Sequence, residues 1–166
     1  MKTWAALLAG LALSAAAPAA DRVRLELWVT DPIGPSSGAQ CHLPASPTTA
    51  PSLPTSVPTL TEHDVIAWNP EQGRWTLDPS RFSGSEAARK LQDRCFVLAI
   101  DGQPVTSGVV LSSHSARLTR IPTLALSTRK GSLELRLTSG LGGSQAPLLH
   151  VDALDAVLAR RTDAQP

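Results

Sequence analysis

The chain has no tyrosine and only two phenylalanines, and aromatic residues make up 4% of its 166 positions. Surfaces that bind bases or sugars by stacking need aromatic faces, so that class of ligand is disfavoured at once. An excess of one charge is missing too. Lys and Arg number 15 against 14 Asp and Glu, which gives no global attraction to nucleic acid or acidic membranes. Histidine occurs four times and cysteine twice, without the H-x-x-x-H or C-x-x-C spacing that marks a metal site. No pattern implies a nucleotide or other cofactor.

What is present begins at the N-terminus. Lys2 supplies a positive start, Trp4 to Ala16 is almost uninterruptedly apolar, and Ala17 to Ala20 closes with small residues. That order describes a secretory signal peptide over 1–20, with cleavage before Asp21. The apolar run falls short of the roughly 20 residues that span a bilayer, so no stable membrane anchor is expected after cleavage. Without Lys2 the charges balance at 14 of each sign. The rest is long enough for one domain, expected in the periplasm or outside the cell. In such an oxidising compartment Cys41 and Cys95 are expected to form a disulfide.

Beyond Asp21 the pattern changes several times. Residues 21–31 read as a strand, with Val23, Leu25, Leu27 and Val29 on one face and Arg22, Arg24, Glu26 and Trp28 on a wet one. From Pro32 to Thr61 there is no Asp, Glu, Lys or Arg, and seven of the 14 prolines lie there. The composition predicts a loop or linker over 32–59. An α+β domain is expected over 60–161 and a loose tail over 162–166. Thr61 and Asp64 suit a capped turn, Arg74 to Leu77 a short strand, and Ser83 to Glu86 a capping box before a short helix.

The strongest local signal is Arg94 to Leu111. Two β-rich runs flank Asp101-Gly102, a favoured hairpin turn. A second hairpin is expected from Thr123–Thr128 and Ser132–Thr138, followed by a last helix over Ala153–Arg161. The fold class expected is therefore α+β: a mostly antiparallel sheet built from two hairpins, with two short helices and a long proline-rich loop.

Three groups of residues invite a chemical reading. Ser113, His114 and Asp101 carry the side-chain types of a hydrolytic triad, but Ser113 lies outside any G-x-S-x-G elbow. Glu62, His63, Asp64, His114, His150 and the Cys41–His42 pair hold metal-ligating types without metal-site spacing. Between Ser112 and Val151 there are five basic residues and one acidic. Such a stripe would contact an anionic polymer or a partner protein, or else guard a strand edge from pairing with other chains.

Leu60–Ile66, Gly73–Leu77, the helix after Phe82 and the run Phe96–Ser107 together resemble the head subdomain of the first periplasmic domain of SecD. The resemblance covers residues 60–115. Gly108 stands where that family has Ala-Pro, and no segment matches the transmembrane helices of the secretion motor. The resemblance implies an α+β fold, a non-enzymatic role in contact with polypeptide, and Asp101 and Gly102 as turn residues. The expectation is an exported envelope protein, not an enzyme, whose partner is another envelope protein or a polypeptide. A small periplasmic hydrolase or metal-binding protein using His63 or His114 is the alternative.

Overall fold

In the computed structural model, residues 24–32, 41, 53–115, 119–140 and 147–162 are described. The expected signal peptide, most of the expected loop over 32–59 and residues 163–166 lie outside them. The elements in chain order are β1 (Leu25–Pro32), β2 (Leu60–Thr61), a 3₁₀ turn (Glu62–Asp64), β3 (Val65–Asn69), β4 (Arg74–Leu77), α1 (Gly84–Leu91), β5 (Arg94–Ile100), β6 (Gln103–Ser112), β7 (Thr123–Arg129), β8 (Ser132–Thr138) and α2 (Val151–Thr162).

Alternation along the strands decides where the core sits. Leu25 and Leu27 of β1, Phe96 and Leu98 of β5, Leu124 and Leu126 of β7 and Leu133, Leu135 and Leu137 of β8 are all buried in one cluster. Because successive side chains point to opposite faces, these strands turn one apolar face to a shared interior. Phe82, just before α1, and Ala87, Ala88 and Leu91 of α1 pack against that interior, as do Leu154, Val157 and Leu158 of α2. The second helix is tied down by the indole N–H of Trp68, which donates to Asp155 Oδ1 at 2.7 Å.

All eight strands belong to one sheet in the order β2-β1-β5-β6-β7-β8-β4-β3. Its two end strands, β2 and β3, are separated in sequence only by Glu62–Asp64. The sheet therefore curls until its ends meet at this turn, giving a nearly closed barrel. Polar contacts fix the seam. Asp64, 2% exposed, accepts from the Thr61 backbone N–H at 2.8 Å and is bonded by the Arg81 guanidinium. Glu62 Oε2 accepts the Leu25 N–H at 3.0 Å.

This architecture corrects the expected fold class. The sheet is mixed rather than a mostly antiparallel sheet of two hairpins, because β6 and β7 run parallel, with Val109 beside Thr123 and Ser112 beside Leu126. Three hairpins contribute, β3–β4, β5–β6 and β7–β8, and β1 joins the same sheet through β5. The physical reason is the return of the chain after Ser112. Instead of reversing tightly into an antiparallel neighbour, it returns to pair from Pro122, whose carbonyl accepts the Val109 N–H at 3.0 Å. Gly108 makes that approach possible, since a Cβ there would lie 1.8 Å from Pro122 O.

Both tight turns have the left-handed backbone that two-residue hairpins require. Asp101 and Gly102 have φ of 53° and 71°, and Lys130 and Gly131 of 49° and 85°. The expected wet face of β1 is also altered. Trp28 is 4% exposed, because residues 56–59 cross it: its indole donates to Ser56 O at 2.9 Å, and Thr59 N–H donates to Leu27 O at 2.8 Å.

Candidate functional site: a groove along the seventh strand

The outer face of the sheet divides into two regions. Over β5 and β6, Val109, Leu111 and Ile121 form a second apolar cluster with Cys41 and Cys95. Cys41 and Cys95 are joined in a disulfide, with 5.1 Å between their Cα atoms. The bond fastens Cys41, which is 4% exposed, onto this face. The sequence expectation of a Cys41–Cys95 bridge is thus met.

Over β6, β7, β8 and β4 the same face is open, and a groove of about 330 Å³ lies along it. Its shape follows from side-chain size. Thr123, Ala125 and Ser127 are the outward residues of β7 that line the groove, and all three are small. Leu111 rises on one side and Arg136 and Arg74 on the other. Strand register places these in a single transverse row: Leu111 beside Ala125, Ala125 opposite Arg136, and Arg136 opposite Arg74. The floor is low because alanine sits between a leucine and an arginine.

The charged groups are held in place. Arg74 pairs with Glu134 Oε2 at 3.3 Å, and Arg136 Nε donates to Gln72 O at 3.1 Å. At one end of the groove, hydroxyls knit the scaffold. Thr119 Oγ1 and Thr123 Oγ1 are 2.7 Å apart, and Thr138 Oγ1 donates to Thr123 O at 3.4 Å.

The residues singled out for catalysis do not assemble. Asp101 sits in the turn before β6, where it accepts the Arg24 N–H at 2.7 Å. Ser113 and His114 follow the other end of that ten-residue strand. At about 3.3 Å per residue, the two ends are roughly 30 Å apart, so no triad can form. The metal candidates are already engaged elsewhere or apart. Glu62 and Asp64 serve the seam, His63 lies 3.3 Å from Glu62, and the His150 carbonyl accepts the Leu154 N–H at the start of α2. His42 lies outside the described residues. Among the described residues no three His, Cys, Asp or Glu side chains converge. No helix among them is long and apolar enough to cross a membrane.

A second cavity, of about 320 Å³, lies between α1 and β1 and is lined by Val29, Phe82 and Leu91 with Arg81, Glu86 and Lys90. Its charges are matched within the chain, Lys90 with Glu86 at 3.0 Å and Arg81 with Asp64. The groove along β7 has two guanidiniums, those of Arg74 and Arg136, and no carboxylate among its described lining residues. Sequence reasoning reached Arg136 through the basic stripe but missed Arg74 and Ala125, which join the site only through strand pairing. Comparison with family models, with curated proteins and with solved structures finds no match.

Proposed function

We propose that this is an exported, non-enzymatic protein of the cell envelope that acts by binding another protein or a polypeptide, and that it binds through the groove along β7. The observation that carries the reading is the groove itself. It has a floor of small residues set into a rigid sheet, one apolar wall and one cationic wall. Such a surface holds a ligand by shape, hydrogen bonds and charge. The role agrees in kind with the polypeptide contact that the SecD resemblance implies. A hydrolase built on Ser113, His114 and Asp101 is disfavoured by their positions at opposite ends of β6.

The test is a selection of displayed peptides against the chain from Asp21 onward, in parallel with the variant Ala125→Trp. The tryptophan would fill the low point of the floor. A consensus sequence should emerge with the parent and vanish with the variant. Equal enrichment with both would place binding elsewhere and refute the groove.

A further inference from the structure

We infer that the Thr119 end of the groove binds a primary amide of the occupying polypeptide, an asparagine or glutamine side chain. This inference deepens the reading above and rests on it. Thr119, Thr123 and Gly140 all line that end. Thr119 Oγ1 lies 2.7 Å from Thr123 Oγ1, 3.3 Å from Ile121 O and 3.5 Å from Gly140 O, and Thr123 Oγ1 lies 3.2 Å from Ile121 O. The convergence depends on glycine at 140, where φ is +85° and a Cβ would sit 1.9 Å from Ile121 O.

This cluster is short of hydrogens. Each threonine hydroxyl brings one, so two hydrogens serve all of these contacts. The shortest contact, between the two hydroxyls, needs one of them, which leaves one for two carbonyls. Among the described residues neither carbonyl accepts any other hydrogen bond. Ile121 is 7% exposed, and a buried acceptor without a partner is costly, so the remaining hydrogen goes to Ile121 O. Gly140 O is then left at the groove with its acceptor capacity unused. An occupant that displaces solvent from there must bring a donor of its own or lose affinity. A carboxylate only accepts and an aliphatic side chain does neither. An ammonium donates, but it would find no carboxylate among the described lining residues. A primary amide is neutral and carries two hydrogens against a hydroxyl's one, so it can serve Gly140 O and Thr119 Oγ1 together.

The experiment is fluorescence anisotropy with the oxidised chain from Asp21 onward. The probes are Gly/Ala/Leu hexapeptides with Gln, Ser, Glu, Lys or Leu at one central position. Each is labelled at its N-terminus and closed as a methyl ester, so that only the central side chain varies. The Gln peptide should bind about tenfold more tightly than the others, the usual scale for leaving an acceptor unpaired. Added salt should change its affinity less than about twofold, since no charge is engaged. Thr119→Val, which keeps the shape and removes the hydroxyl, should erase the preference, and Thr119→Ser should retain it. Arg89→Gln on α1 should change nothing, and circular dichroism confirms that each variant is folded.

Equal binding of all five peptides, lost in Ala125→Trp, would overturn the amide inference and leave the groove as a binding site. A Ser, Glu or Lys peptide bound as tightly as the Gln peptide would overturn it too, as would a Gln preference untouched by Thr119→Val. Peptide binding indifferent to Ala125→Trp, or no binding of any probe, would overturn both readings.

Discussion

Two glycines of the β5–β6 hairpin serve different physical needs, and their replacement by alanine should separate those needs. Gly102 has φ of +71° and open space around its Cβ position. Alanine there meets only the left-handed backbone penalty, about 1–2 kcal/mol, partly offset by about 0.4–1 kcal/mol through a less flexible unfolded chain. Gly108→Ala meets an obstacle instead. Its Cβ would lie 1.8 Å from Pro122 O and 2.7 Å from Pro122 C, both backbone atoms. Either the returning chain moves or the Val109 N–H to Pro122 O bond breaks. A lost hydrogen bond costs about 0.5–1.5 kcal/mol and overpacking about 1–3 kcal/mol, so together about 2–4 kcal/mol is expected. With a urea m-value of about 2 kcal/mol per M, the midpoint should fall by about 1–2 M for Gly108→Ala and by less than about 0.8 M for Gly102→Ala. Urea unfolding of the oxidised protein, followed by tryptophan fluorescence, measures both. Gly108→Ala should also weaken ligand binding, since Pro122 leads directly into Thr123 at the groove floor, whereas Gly102→Ala should not. If Gly108→Ala costs no more than Gly102→Ala, the close approach of Pro122 to Gly108 is wrong.

Other perturbations have equally definite outcomes. The Cys41–Cys95 bridge joins residues 54 apart, so replacing both by serine should cost up to about 4 kcal/mol on the loop-closure model; a urea midpoint unchanged by the double substitution would show that the bridge contributes nothing. A double-mutant cycle on Trp68→Phe and Asp155→Ala should show about 1–2 kcal/mol of coupling, and strictly additive losses would mean that α2 is not anchored by that bond. Expressed in a bacterium, the exported form should begin at Asp21 by N-terminal sequencing; an intact Met1 in the envelope fraction would remove the signal peptide.

Local features of the fold were legible in the sequence because local chemistry specifies them. Asp101-Gly102 marks a hairpin since both positions tolerate positive φ, and the leucines of β8 alternate because one face is buried. The parallel β6–β7 pair left no such trace. It depends on where residues 113–122 run, which no short-range pattern encodes, so neighbouring β-rich runs read as separate hairpins. β3 was hidden for a related reason. Ile66 and Ala67 are both exposed while Val65 and Trp68 are buried, a spacing distorted by the irregularity between Val65 and Ala67. The groove needed tertiary register as well. Arg74 appears in sequence as one end of a minor strand, and only β4–β8 pairing sets it opposite Arg136.

The order of strands in the sheet also dictates when this protein can exist. β4 is made early but finds β8 only after Ser132 has appeared, and β1 waits for β5. Local structure rewards a growing chain at once, whereas such distant pairings must await their partners. A chain stopped before Ser132 would hold Trp75 and Leu77 on a hairpin with nothing to cover them. Closing the ring is therefore a late event, set by the arrival of the last strand. A polypeptide that stays open until nearly its whole length is available is also one that can be threaded through a narrow channel before it folds.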